Sequence, residues 1–472
     1  SQQWMYSSGF YPHEIGNSAR LDSNAYYTRT PSSAGNRKTW TWSAWLKISS
    51  FNGYHTPFAF GDNSTGGTDV GAFFRLTTDK LEFSEAHGGV NSFSLITNQL
   101  FRDPSAWYHF VFSVDTTQST SSNRIKIYVN GSQITSFSTE TYPSQNFDTS
   151  ANQSGLPQRI GMLDGDAGVF NQFYDGYITE VNFIDGSALD PSYFGETKAD
   201  TWVPKKYTGS YGTNGFYLDF ATKATDPIDA SGNGNNFSST NVVSTDWMPD
   251  TPTNNFATIN PLIERWAAPT NTYTEGNLKV SSSGTSAYQF ATMQADKIYF
   301  EMLVTANNVY PHISVQETDL QSESGSYAMF YGVNGSSRIG GVDQTIATYG
   351  VGDIVALAYD HYGGEGRIYK NGTLLRTTTG QNFDSYMETY LAGGILAAGD
   401  GAIFNFGQDS SFAGNKTAQG NTDSNGIGDF YYTPPSGFLA ICSANLPDPV
   451  AAINPAVNNS PQDHFNTKLY TG

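Results

Sequence analysis

Oxygen-bearing side chains in glycine-rich loops are the first residues of this sequence that could do chemistry. Asp164-Gly165-Asp166 places two carboxylates around a glycine. The run Asp229-Ala230-Ser231-Gly232-Asn233-Gly234-Asn235 alternates polar side chains with residues that permit tight curvature. Hard cations take several oxygens from loops, so Asp164, Asp166, Asp229, Asn233 and Asn235 are candidate Ca2+ ligands. The second run lacks the closing bidentate acid of an EF-hand loop, and Phe60-Gly61-Asp62-Asn63 is ambiguous in the same way. The competing reading, which these residue types favour, is a set of Asx-turns that satisfy local backbone groups. No other cofactor is implied.

Sugar binding needs an aromatic face for the C–H groups and nearby amides or carboxylates for the hydroxyls. Asn52-Gly53-Tyr54-His55 followed by Asp62-Asn63 forms one such loop pair, with Tyr54, His55, Asp62 and Asn63 as candidate contacts. Tyr207, Tyr211 and Tyr217 flank Gly-rich turns and form another. Tyr310, His312, His361 and Tyr362 lie near turns in the second half. The alternative for each set is an ordinary surface or edge aromatic.

Catalytic constellations are thin. The sequence contains no His-Glu-x-x-His and no Gly-x-Ser-x-Gly. Its one cysteine, Cys442, sits in the apolar run FLAICSAN and reads as a buried small hydrophobe. One cysteine makes neither an intrachain disulfide nor a Cys-based zinc site. A formal charge of −19 repels phosphate backbones, so no nucleic-acid partner is expected. No apolar run reaches the ~20 residues of a spanning helix, so no membrane insertion is expected. Several Asn-x-Ser/Thr triplets occur, such as Asn63-Ser64-Thr65.

The elements that must position these residues are strands. Helical periodicity is nearly absent, and short alternating runs are bounded by Gly, Asn, Asp and Pro. In TWTWSAWLKI (39–48), Trp40, Trp42 and Ala44 alternate with Thr41, Ser43 and Trp45. WYHFVFSVD (107–115) puts Tyr108, Phe110, Phe112 and Val114 on one face. RIKIYV (124–129) sends Ile125, Ile127 and Val129 inward and runs into Asn130-Gly131, a hairpin signal. Period-2 alternation predicts one buried and one wet face per strand. Many such strands at short spacing predict an all-β protein built of two-sheet sandwiches. DIVALAYD, a Gly-rich turn, RIYK and Asn371-Gly372 repeat the same order, an internal echo that predicts two domains of related architecture.

Five segments follow: an N-terminal arm (1–17), a first β domain (18–203), a Gly/Asn/Pro-rich connecting segment (204–262), a second β domain (263–447) and a C-terminal extension (448–472). The connecting segment carries little regular structure, but Trp247, Met248 and Phe256 predict that it packs onto a domain. The closing HFNTKLYTG reads as the start of another strand, so the chain is expected to run into a further domain.

Residues Ser18 to Glu196 resemble the laminin-G-like, concanavalin A-like lectin/glucanase group, through ARLDSNAYYTRTPSSAGNRKTWTWSAWLKIS, AWYHFVFSVD, RIKIYVNG and DGYITEVNFIDGSALDP. Residues Glu264 to Leu446 resemble a SPRY-type domain, through KIYFEMLV, VGDIVALAYDHYGGEGRIYKNGTLL, IFNFGQDSSFAG and YTPPSGFLAICSANLP. Both resemblances imply tandem antiparallel β-sandwiches, a concanavalin A-like jelly roll followed by a SPRY-like sandwich. The order of the two, with DASGNGNN and DWMPDTPTNNFATINPL at the joint, is similar to structural proteins of marine tailed phages.

A concanavalin-like sandwich can be a glycosidase, and the endo-glucanase members carry Glu-x-Asp-x-x-Glu on one strand. That motif would set carboxyl groups ~5–5.5 Å apart for retaining hydrolysis. It is missing here. Glu180 has Asp185 five residues on, opposite in pleat; Glu82 and Glu85 face opposite sides; Glu301 stands alone. The resemblance therefore implies a non-enzymatic virion surface, fibre or decoration protein. It would bind host-surface polysaccharide or neighbouring virion proteins through sandwich loops, as a homo-oligomer, trimeric if a fibre. The rivals are a secreted or cell-surface bacterial lectin or adhesin, a pure virion scaffold, and a glycan hydrolase with an unrecognised carboxylate pair.

Overall fold

The structure is a computed structural model. It describes residues 11–445 except 23, 52, 62–67, 76–78, 88–89, 164–171, 199, 224, 263–270, 284–286, 294, 296, 307–308, 316–326, 382, 384–389 and 397–398. Two antiparallel β-sandwiches follow one another, the fold class expected from the sequence.

In the first, an eight-stranded front sheet centres on Thr39–Ile48, which pairs with Trp107–Asp115 on one side and Gly176–Asp185 on the other. An eight-stranded back sheet runs from Phe137–Thr141 through Val90–Leu100, Lys80–His87, Thr68–Arg75 and Tyr54–Gly61 to Gln158–Ile160 and Tyr26–Arg29. The predicted alternation holds. Trp40, Trp42, Ala44, Leu46 and Ile48 face inward and pack against Phe58, Phe60, Phe83 and Phe112. Ile125, Ile127 and Val129 join the same core.

The expected wet face of the central strand is absent. Thr41, Ser43, Trp45 and Lys47 are all buried. Chain beyond residue 185 covers them: Met248 and Trp202 pack over Trp45 and its sheet neighbours Trp107 and Tyr177, and Phe194, Tyr207 and Tyr211 pack over Val111 and Ile184. Residues 204–262 supply strands to both sheets. Phe216–Leu218 pairs with Gly176–Asp185, Trp247–Met248 with Ser18–Leu21, and Ser238–Thr240 with Tyr26–Arg29.

The second sandwich faces a seven-stranded sheet, centred on Lys297–Ala306 and Ile354–Asp360, with a six-stranded one containing Tyr310–Val315. Phe300, Met302, Val355, Leu357, Ile313 and Met329 fill the space between them. The echoed hairpins use one device twice. Asn130 and Asn371 sit at φ 47° and 48°, each followed by a Gly at positive φ, the backbone that two-residue hairpin loops demand. Each Asn also accepts, through its side-chain oxygen, a bond from the backbone N–H at the facing strand start: His109 at 2.8 Å and Ile354 at 2.9 Å.

The two sandwiches meet across buried charge. Lys47 donates to Asp250 at 2.7 Å, to Asn255 at 2.8 Å and to the Phe256 carbonyl at 2.7 Å, which uses all three ammonium protons. Asp250 also accepts from Trp107 Nε1. Arg20 bridges Asp246 of the first sandwich to Glu275 and Asp409 of the second. Tyr177 donates to the Gly276 carbonyl, and Asn277 to that of Ser49.

Candidate functional site

The strand Gly176–Asp185 breaks register between Thr179 and Asn182, and Glu180 there has φ 54°. A non-glycine residue at positive φ inside a strand is uncommon, and a bulge re-aims its side chain. Here the bulge turns Glu180 toward the covering segment. Tyr217 Oη donates to Glu180 at 2.8 Å, and His13 of the N-terminal arm bonds to the same carboxylate at 2.9 Å. Glu180 thus pins the arm and Tyr217 to the front sheet.

A staircase of rings leads outward from Tyr217. Tyr211 stacks on it at 6.2 Å with 15° between planes, and donates its hydroxyl to Asn182. Tyr207 meets Tyr211 edge-on at 5.1 Å and stacks on Phe194 at 5.3 Å. Tyr193 meets Tyr207 at 6.3 Å and is 46% exposed. Tyr217 is buried, Tyr211 and Tyr207 are half-buried, and Tyr193 stands outermost. Burial raises the phenol pKa of Tyr207, Tyr211 and Tyr217, with Glu180 adding to the shift at the latter two, so all three stay protonated donors. The turn that carries the rings is tight. A Cβ on Gly215 would lie 1.8 Å from the Tyr211 carbonyl oxygen, so only glycine fits there.

The Asp229–Asn235 run braces this turn. Asp229 accepts from the backbone N–H groups of Tyr217, Ser231 and Asn235. Asn233 donates to the carbonyls of Gly212 and Gly215, and Asn235 to those of Thr213 and Gly215, while Arg29 bonds the Asn235 side-chain oxygen. These are Asx-type contacts to local backbone. Asp164 and Asp166 lie outside the described residues. Among the described residues, no group of three or more His, Cys, Asp or Glu is placed to hold a metal.

The other expected contacts are dispersed. Tyr54 is exposed at the start of Tyr54–Gly61 and His55 is buried next to it, while Asp62 and Asn63 lie outside the described residues. His361 and Tyr362 follow the last residue of Ile354–Asp360; Tyr362 is 76% exposed and His361 Nδ1 is 3.0 Å from Tyr359 Oη. Tyr310 lies toward the other end of that strand, where Tyr349 bonds the Val309 carbonyl and Gly350 bonds Asp353. Seven residues at ~3.3 Å each separate the two ends by roughly 20 Å. His312 is buried against Phe290.

At two places among the described residues the surroundings do not activate a nucleophile. Ser43 Oγ lies 2.9 Å from His109 Nε2, a spacing that a serine–histidine pair would show. Trp202 Nε1 donates to His109 Nδ1 at 3.0 Å, however, which leaves the single ring proton on Nε2, facing the serine. Burial lowers the His109 pKa to about 3, so the ring is neutral and Nε2 has no lone pair for the serine proton. Cys442 is buried, and burial pushes its thiol up to about 12. No sequence pattern flagged Ser43, His109 or Trp202, because their contact joins three distant segments.

The first sandwich thus joins two antiparallel sheets with an outer tyrosine array. Residues 22–192 match the model of the concanavalin A-like lectin/glucanases superfamily. Among solved structures, a pentraxin from Limulus polyphemus aligns at 15% identity and TM-score 0.28, covering 38% of this chain and 79% of that one. The SPRY domain of human HERC1 aligns at 13% identity and TM-score 0.25, covering 31% and 96%. Domains LG4-5 of the mouse laminin α1 chain align at 8% identity and TM-score 0.30, covering 92% and 88%. No curated protein matches the sequence significantly. Among the described residues, no helix is long and apolar enough to cross a membrane.

Proposed function

We propose that this chain is a non-enzymatic, extracellular glycan-binding protein on the surface or an appendage of a tailed-phage virion. The observation that carries the glycan reading is the stair of Tyr193, Tyr207 and Tyr211, fixed from behind by Tyr217, Glu180 and Asn182. Rings held in place offer C–H-stacking faces at little entropic cost. The family match of residues 22–192 supports the same reading. The virion setting is supported by the sequence resemblance and by the low charge density of a Ser/Thr/Asn-rich surface. Repetition on a particle, as a homo-oligomer that is trimeric if a fibre, would raise avidity ~10²–10⁴-fold over one weak site. The partners in this reading are host-surface polysaccharide and neighbouring virion proteins, and Ca2+ is a cofactor to be tested by chelation.

A glycan array with the purified chain tests the binding. We expect retention of host-surface glycans, and a loss of about tenfold in affinity for Tyr207→Ala and for Tyr211→Ala, equivalent to ~1.4 kcal/mol each. Retention unchanged in both variants would remove the ladder from the reading. Cryo-electron microscopy of native particles tests the setting. A chain found free rather than on a particle replaces the virion assignment with a secreted lectin.

A further inference from the structure

A second recess begins one residue from His13, the arm residue that holds Glu180 of the front sheet. Nearby Tyr11 and Glu14 line this cleft of about 560 Å³. Ile15 ties the arm down by exchanging two bonds with Thr253 Oγ1, at 3.1 and 3.2 Å. The far wall comes from the second sandwich, through Asn425, Ile427 and Ala444, and from Asn254 of the connecting segment. His13 Nε2 lies 3.5 Å from Tyr217 Oη, so the arm stands between the inner end of the ladder and the cleft that Glu14 lines.

The lining has the composition of a sugar subsite. Tyr11, Ile15 and Ile427 supply apolar floor. Asn254 uses its side-chain oxygen for Ala444 N at 3.4 Å, and its Nδ2 has no partner among the described residues. Asn425 donates to Asn445, and its own oxygen has no partner among the described residues. The Glu14 carboxylate is likewise unengaged there. One free donor and two free acceptors above an apolar floor match the mixed donor and acceptor character of hydroxyls. They do not match an anion, which would meet the Glu14 carboxylate and a chain of net charge −19.

We infer that the ligand is an uncharged, multi-residue glycan that stacks on the tyrosine ladder and continues over the arm into this cleft, so that both sandwiches hold one chain. This rests on the glycan-binding reading above and assigns the substrate class and a second subsite.

The test uses the full chain and isothermal titration with laminari-, cello- and malto-oligosaccharides of increasing length, alongside polygalacturonate and sulfated dextran. Two cleft variants are compared with the wild type. Asn254→Ala removes the free donor. Gly16→Leu adds bulk at the cleft wall; Gly16 lines the cleft, and a Cβ there meets nothing within 4 Å. We expect affinity in one neutral series to rise with length, and both variants to lose about tenfold, ~1.4 kcal/mol, on the long oligomers only. Equal affinity of variants and wild type at every length overturns the second subsite and leaves the ladder standing. Preference for polygalacturonate or sulfated dextran overturns the uncharged class. Wild-type protein that binds none of the panel, with ladder variants also silent on the glycan array, overturns both readings together.

Discussion

Glu301 shows how much one buried carboxylate can hold. It stands on Lys297–Ala306 and accepts from Tyr432 N at 2.7 Å, Tyr431 N at 2.8 Å, Tyr299 Oη at 3.1 Å and Asn405 Nδ2 at 3.1 Å. Complete burial nevertheless raises its pKa to about 7, more than the four donors lower it. The folded state therefore binds a proton more tightly than the unfolded chain, whose group titrates near 4.5. Stability from this group is fully present below that value and is lost as pH rises through about 7. We expect the melting temperature to climb as pH falls from 8 toward 5, and Glu301→Gln to flatten that climb relative to the wild type. The comparison isolates the residue from the general relief of negative charge on acidification. Parallel slopes in the two proteins would disprove the assignment. In the sequence Glu301 is only a lone acid in KIYFEMLV; three of its four donors come from residues more than 100 positions away.

At the scale of the element, what period-2 alternation encodes is legible and what crosses between elements is not. The inward set Trp40, Trp42 and Ala44 follows from spacing alone, since side chains alternate along any strand. The burial of Trp45 and Lys47 on the opposite face does not, because the cover arrives from Trp202, Met248 and Phe256. The bulge at Glu180 is equally silent: an added residue shifts register without changing composition. Tyr207, Tyr211 and Tyr217 stand out by residue type, yet their order as a staircase depends on that bulge. The Asn-Gly turns are the reverse case, visible as a dipeptide and found with the required φ. Asn130→Ala loses both the tolerated left-handed conformation and the bond to His109 N, and should cost ~1–3 kcal/mol. Asn130→Gly should cost less, since it keeps the backbone freedom. Urea denaturation of the two variants reads this ordering, and equal losses would contradict it.

For the whole molecule, the joint between sandwiches is the controlling feature. Lys47 and Asp250 are both fully buried, and each is satisfied only by groups drawn from the meeting surfaces. Burial lowers the Lys47 pKa and raises that of Asp250, and their mutual attraction opposes both shifts. Removing one partner strands the other charge away from water, which costs ~3–5 kcal/mol. Lys47→Met is therefore expected to lower the denaturant midpoint of the whole chain, followed by tryptophan fluorescence. A midpoint equal to wild type would show the joint to be dispensable.

Arg20 carries a different implication, about time rather than energy. It lies in Ser18–Leu21, and its carboxylate partner Asp409 follows 389 positions later. At ~5–20 residues per second, a ribosome needs roughly 20–80 s to deliver that partner. Throughout that interval the guanidinium lacks its full shell and the arm has no second sandwich to lie against. Closure of the two sandwiches on each other is thus a late event, in which Arg20 waits for Asp409.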